Sequence, residues 1–544
     1  MKKRLRDIAL VLFAFVLAMP AAVAQEDRRP FTKGLVLIIS VDQMKAEFYD
    51  WYGQHWTGGL KRIFEEGIVY TKASLDYSAS ETGPGHATLS TGSFPKVHGI
   101  VGNEWVDPVT RKEVYCVEDP GAGKVDEKGG GMSPGNLLVT GLGDWLKEAH
   151  PSAKVVSLSV KDRAAVLMGG QKPNQVYWYD RTSGHLVTSD YYMKESSSWM
   201  REFNAGNWVF KNVPPVWNKL LDSAAYVGPD EMKGESESGG STTFPRRFNL
   251  ARRAEQMTTS PWGDALILDA GKAAILGEKL GTRGVPDMLA LGLSCTDYVG
   301  HAYGPNSHEM QDHLARLDVA LGAFLADVET IVGKGNILLA LSADHACLPL
   351  PEYTVAVEHR FARRLNPTTE ITPNVNDFHD RLREELGTED TLILKDRFLN
   401  YEAAAKHGLS ADAFETRVRA GLTAIDGIAD VFFKREFASG KVPPRLFADR
   451  FANSMHLPRM EDFHIRYCEG CLPSSRSTGT SHGSCYDYDN SVPVVFWGQP
   501  YTTNKISTPV RTVDVAPTIA RKVGATPPKS VSGAPLKEVF ENIR

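Results

Sequence analysis

The chain has 544 residues, with 61 Lys and Arg against 66 Asp and Glu, 6 Cys and a net charge of −5. Hydrophobic residues make up 42% and charged residues 23%, which excludes a disordered chain, a collagen-like chain and a small disulfide scaffold. The acidic balance speaks against a nucleic-acid partner, whose footprint is basic, and the length allows several domains or one large α/β unit with insertions.

The N-terminus is basic from Lys2 to Arg6, apolar from Ile8 to Leu17, and carries Ala22-Val-Ala24. This reads as a cleaved signal peptide over residues 1–24. The apolar run is broken by Pro20 and is short for a membrane span, and no Cys stands at the cleavage point. Cleavage removes four basic residues and one acid, so the net charge deepens to −8. The mature chain, 25–544, is expected in a periplasm as a monomer without stable membrane association.

The first element, Leu35 to Ser40, is a continuous apolar run ending at Asp42. Buried parallel strands read this way because helices cover both of their faces. Four further runs follow, at 154–160, 288–294, 336–342 and 492–497. Between them, Asp312–Val332 and Asp514–Val523 carry the apolar spacing of amphipathic helices. Alternating strands and helices predict an α/β fold with a mostly parallel central sheet and chemistry at the carboxyl ends of its strands. Two stretches break the rhythm and are expected as insertions. Residues 171–250 are rich in Tyr, Trp, Ser and Gly and suggest hairpins. Residues 350–480 carry their own helix and strand patterns, such as Thr391–Leu394.

The strand ends carry the chemistry. Asp42 ends the first run; Asp297 and His301 follow the third; Asp344 and His345 follow the fourth; His482 precedes the last. Asp and His without clustered Cys suit zinc or a similar divalent ion. Any one of these residues alone reads as a loop carboxylate or a satisfied histidine. Their recurrence at strand ends brings them to one sheet edge, and six ligands suffice for two metals with open positions. Thr82 opens a predicted helix, with Gly83 and Pro84 in its first turn. It is either a helix cap or a nucleophile at a helix end that favours negative charge. Lys161 and Arg163 follow the second run. On an extended segment they face one side and Asp162 the other.

Together these residues resemble the alkaline phosphatase superfamily, and within it the PafA-like phosphate-irrepressible alkaline phosphatases with a threonine nucleophile. The matching segments run from Leu35–Asp42 to Val510–Thr518 and include Thr91–Gly99, Ser260–Asp269 and Gly479–Gly483. The resemblance implies an α/β/α sandwich with inserted lobes and two zinc ions. One would be held by Asp297, His301 and His482, the other by Asp42, Asp344 and His345 with Thr82. It implies that Thr82 is the nucleophile and forms a phosphothreonine. Lys161, Arg163, Asn103 and the backbone N–H after Thr82 would hold the phosphoryl oxygens of small-molecule monoesters. The same trio stands in for a third metal site, so no essential magnesium is expected.

A phosphodiesterase or nucleotide pyrophosphatase of the same superfamily is the rival reading, and Lys161 and Arg163 argue against it. A sulfatase is disfavoured because the nucleophile context reads Thr82-Gly-Pro-Gly-His86. A non-catalytic zinc- or phosphate-binding protein is the alternative outside the enzymes. Among the cysteines, Cys468 and Cys471 are expected to form a local disulfide, and Cys295 and Cys347 are candidates to pair.

Overall fold

The computed structural model describes residues 31–498 and 503–541; the expected signal peptide lies outside them. Among the described residues the main sheet has 11 strands. In chain order they are β1 (Gly34–Val41), β2 (Ile68–Tyr70), β3 (Glu118–Val125), β4 (Gly130–Met132), β5 (Val155–Ser159), β6 (Gln175–Tyr179), β7 (Leu186–Ser189), β8 (Pro286–Leu293), β9 (Ile337–Ser342), β10 (Val494–Gly498) and β11 (Asn504–Ile506). Their order across the sheet is β11-β2-β10-β9-β1-β8-β5-β6-β7-β3-β4. The centre, β9-β1-β8-β5-β6, is parallel. On the flanks, β10 pairs antiparallel with β9 and β2, and β7 pairs antiparallel with β6 and β3.

Strands β1, β8 and β9 are buried along their whole length. In β1 the side chains split by alternation, as period-two geometry requires. Leu35, Leu37, Ile39 and Val41 enter the core on one face, and Val36 and Ile38 the core on the other. Helices α3 (Trp262–Glu278) and α5 (His308–Val332) supply Leu266, Ile267, Leu314 and Leu321 to the first core. Helix α6 (Val515–Lys522) supplies Val515 and Ile519 to the second. The result is the expected α/β/α layering. Helix α5 begins four residues before the expected start because Ser307 caps it, its side chain accepting from the Met310 N–H at 3.1 Å.

The segment 171–250 departs from its reading as a surface insertion. Its first part forms β6 and β7 of the main sheet, and Trp199, Met200, Val209 and Trp217 enter the first core. The segment 350–480 carries a hydrophobic cluster of its own, including Phe378, Leu382, Phe414, Val418 and Phe433. Residues 391–394 form no strand there; only an isolated bridge joins Ile393 to Leu399. Cys468 and Cys471 are disulfide-bonded as expected. Cys295 and Cys347 are separate buried thiols. They follow β8 and β9, and β1 lies between those strands, so this candidate pairing is not formed. Among the described residues no helix is long and apolar enough to cross a membrane.

Helix α1 (Thr82–Thr91) is buried along its length. Gly85 is required within it: a Cβ there would lie 2.2 Å from the Asp344 carbonyl oxygen. Just beyond α1, the fully buried His98 accepts the Ile100 N–H at its Nδ1 (3.1 Å), so its proton sits on Nε2, facing the Thr88 hydroxyl at 3.2 Å. Burial, helped by the nearby His456 and Arg459, pushes His98 down from 6.5 to about 3. Between those values the unfolded chain binds the extra proton and the folded chain does not, so stability falls as pH is lowered from 6.5 towards 3. We expect His98→Gln to flatten this slope by one proton when urea midpoints are measured across that range. An unchanged slope would show that the acid sensitivity lies elsewhere.

Candidate active site

Sheet register builds the site. Ser342, Ser40, Gly292 and Ser159 form one row across β9, β1, β8 and β5. Two residues beyond this row come Asp344, Asp42 and Lys161, and five residues beyond it comes Asp297. Adjacent parallel strands ending in register thus deliver three carboxylates and an ammonium to one edge, the ordinary place for a ligand in such sheets. Asp297 and His301 lie on α4 (Cys295–Tyr303), four residues apart and so on one face. Asp42, Asp297, Asp344 and His345 are all buried.

The structure brings the six expected ligands together. His301 Nε2 and His482 Nε2 approach Asp297 Oδ1 at 3.2 and 3.5 Å. His345 Nε2 lies 3.5 Å from Asp42 Oδ1 and 3.4 Å from Asp344 Oδ2. Two groups of donors converge closely, Asp42, Asp344 and His345, and Asp297, His345 and His482. His345 thus stands between the two sets, its ring stacked on His482 at 3.5 Å. Each imidazole is oriented by a backbone carbonyl. His301 Nδ1 donates to Thr480 (2.8 Å), His345 Nδ1 to Ala346 (2.9 Å) and His482 Nδ1 to Ser80 (2.7 Å). That fixes the tautomer and turns each Nε2 lone pair inward, as metal-binding histidines require.

The electrostatics fit a cation. Asp42 Oδ1 and His345 Nε2 are buried without a hydrogen-bond partner, a costly state unless something binds them. Burial raises Asp42 well above the usual carboxylate range and Asp344 adds to this, against Lys161. At Asp297 burial also pushes upward, but His301 and Lys161 outweigh it and hold the group well below that range. Burial pushes His345 down to about 3, so its lone pair is available. Two carboxylates and an imidazole in one set, and a carboxylate and two imidazoles in the other, are a donor chemistry for divalent ions.

Thr82 sits at this edge. The residue capping α1 is Glu81, so the reading of Thr82 as a cap is corrected: Thr82 is the first helical residue. Its Oγ1 accepts from Lys161 Nζ at 3.2 Å and Arg163 Nη2 at 3.4 Å. Lys161 Nζ also lies 2.7 Å from Asp42 and 2.6 Å from Asp297. Lys161 and Arg163 do not share an extended segment. Lys161 caps α2 (Asp162–Gly169) and Arg163 lies in its first turn; the helix start, not strand alternation, turns both towards Thr82. Asn103 Oδ1 accepts the Gly83 N–H at 2.7 Å. The backbone N–H after Thr82, expected to meet phosphoryl oxygen, is therefore already engaged by Asn103.

Several neighbours have no signal in the sequence. Gln43 adopts a left-handed φ of 68°, donates from Nε2 to Asp297 (2.7 Å) and from its backbone to Asp344 (3.1 Å). Tyr115 donates to Asp162 at 2.5 Å and accepts from Arg163 at 3.3 Å. His86 was within reach of a spacing argument: four residues after Thr82 on α1, it donates to the Thr82 carbonyl at 2.9 Å and lies 3.2 Å from Asp344.

The chain and its fold are similar to those of known proteins. A family model described as type I phosphodiesterase / nucleotide pyrophosphatase matches residues 36–484. The chain belongs to that family. Within it, the likeness is to PafA-like members of the alkaline phosphatase superfamily. Alkaline phosphatase PafA of Elizabethkingia meningoseptica is 32% identical over 522 residues, covering 93% of this chain and 94% of that one. A protein named calcium-transporting ATPase from Myroides odoratus is 32% identical over 526 residues, with coverage of 93% and 94%. The crystal structure of wild-type PafA matches with a TM-score of 0.85 at 31% identity, covering 95% of this chain and 99% of that one. The family's α/β fold is thereby this chain's fold.

Proposed function

We propose that this protein is a phosphoric monoester hydrolase, an alkaline phosphatase that uses Thr82 as nucleophile and two zinc ions as cofactors. The observation that carries the reading is the meeting of Lys161 and Arg163 on the Thr82 hydroxyl, beside the two donor sets. The near full-length likeness to an alkaline phosphatase supports it.

Asp297, His301 and His482 would hold one ion, and Asp42, Asp344, His345 and Thr82 the other. When bound, these ions supply positive charge at the attacking and leaving oxygens. The chain's own residues do the rest. Thr82 Oγ1 attacks phosphorus in line with the ester bond, a P–O bond to Thr82 forms, and the alcohol departs with a proton. Water then breaks the phosphothreonine, frees inorganic phosphate and restores the hydroxyl. Lys161, Arg163 and the Asn103 amide hold the non-bridging oxygens through charge-assisted and neutral hydrogen bonds. A monoester dianion offers three such oxygens; a diester replaces one with a second organic group. The trio also supports a reaction without an essential magnesium.

The test is a matched pair of esters. We expect the zinc-loaded protein to prefer 4-nitrophenyl phosphate over its bis-ester. Lys161→Ala should lower monoester kcat/KM by about 10–100-fold, the worth of a charge-assisted hydrogen bond of ~1.5–3 kcal/mol, with little change for the bis-ester. A strong preference for the bis-ester in the unaltered protein would instead favour the phosphodiesterase reading. We further propose a periplasmic location after removal of residues 1–24, supported by the basic, apolar and Ala-x-Ala order of that segment.

A further inference from the structure

Between the Asn103 loop and the inserted lobe lies a cavity of about 230 Å³. Glu81, immediately before Thr82, and His482, one of the six expected ligands, both line it; Lys161 and Arg163 do not. It therefore borders the reacting centre on the side away from the phosphate-holding cations, where an alcohol would leave. Its walls mix apolar side chains, Trp105, Phe451, Met455 and Met460, with the carboxylates of Glu104 and Glu461; Phe451 to Glu461 come from the lobe. A recess of this size, partly open to solvent beside a reactive site, is a feature to explain. It has room for about eight waters at ~30 Å³ each and is smaller than the ~300–1,000 Å³ of pockets for drug-sized ligands. One ring on a short linker fills it. Thioether side chains adapt to a ring and contact it favourably through sulfur, and the aromatic walls offer stacking or edge contacts. Two arginines at the wall are engaged already, Arg397 with Glu461 at 2.6 Å and Arg466 with the Tyr486 hydroxyl at 3.1 Å. Arg397 is thereby paired with a carboxylate, while Arg466 keeps a buried Nε without a hydrogen-bond partner.

We propose that this cavity is a leaving-group subsite selecting phosphate monoesters of alcohols that carry an apolar planar ring. The inference rests on the monoesterase reading above. Because the ring remains attached to the leaving oxygen through the transition state, its burial acts on kcat/KM.

The test compares 2-phenylethyl phosphate with ethyl phosphate on the zinc-loaded protein, since both alcohols are simple alkanols of similar acidity. The expected result is at least a tenfold higher kcat/KM for the ring ester. In Met460→Trp, which fills the cavity, that ratio should fall towards one. In Met460→Ala, which widens it, preference should move from the phenyl to a naphthyl ester, so the inference stays testable if the larger residue does not fold. Equal kcat/KM for the two esters, or a ratio unmoved in a folded variant, overturns the subsite while leaving the monoesterase intact. Failure to hydrolyse either ester or 4-nitrophenyl phosphate overturns the monoesterase reading and the subsite with it.

Discussion

Thr82→Ala is expected to keep the fold and lose nearly all turnover, with kcat reduced by a factor on the order of 10³ or more, as when other enzymes lose a covalent nucleophile. The fold should survive because Thr82 does not cap α1; the capping position belongs to Glu81, and alanine is a good helix former. What disappears is the hydroxyl on which Lys161 and Arg163 converge. Steady-state assays should be paired with acid quench of the enzyme mixed with labelled substrate. The unaltered chain should carry label on Thr82, and the variant none. Turnover within tenfold of the unaltered enzyme would sink the covalent scheme, because a directly attacking water would not need the hydroxyl.

Removal of metal should have an effect as large. Dialysis against a chelator is expected to abolish turnover and zinc to restore it, and in Asp344→Ala zinc should not restore it. Asp344 is fully buried and is held by the Gln43 N–H at 3.1 Å and the His345 N–H at 3.0 Å, so no neighbouring carboxylate can take its place without moving the backbone. The melting temperature should fall on chelation as well. An ion that binds only the folded chain adds about 2.7 kcal/mol at a free concentration a hundred times its Kd, and stripping it uncovers the partnerless Asp42 Oδ1 and His345 Nε2. Full activity after exhaustive chelation, with metal content measured, would exclude the proposed role.

Much of this site was legible because parallel central strands read as unbroken apolar runs, against which the polar residues just past each strand end stand out. Asp42, Asp297 and Asp344-His345 announce themselves in that way. The flanks were harder. Gln175–Tyr179 and Leu186–Ser189 belong to the sheet, yet their aromatic and polar composition resembles a surface hairpin. The pairing of Lys161 with Arg163 was visible, but its cause was not. A strand and a helix start both place residues i and i+2 plausibly, and only the capping geometry at Lys161 decides between them. The engagement of the Gly83 N–H by Asn103 depends on a loop approach across 20 residues that no local pattern encodes. Gln43 escapes for a related reason: its left-handed backbone is unusual for a residue with a side chain.

The bond from His482 to the Ser80 carbonyl joins residues 402 positions apart, and this has a consequence for biosynthesis. The chain emerges from N- to C-terminus, so Asp42 and Thr82 are made long before the segment carrying His482 exists. Any nascent fragment ending before His482 lacks both the last imidazole of the set and β10, the antiparallel neighbour of β9. Contacts of such long sequence separation form slowly. Catalytic competence should therefore arrive late, when His482 completes the set of Asp297 and His301, although the donors Asp42, Thr82, Asp344 and His345 are all made earlier. A pulse-labelled chain should gain protease resistance before it gains activity.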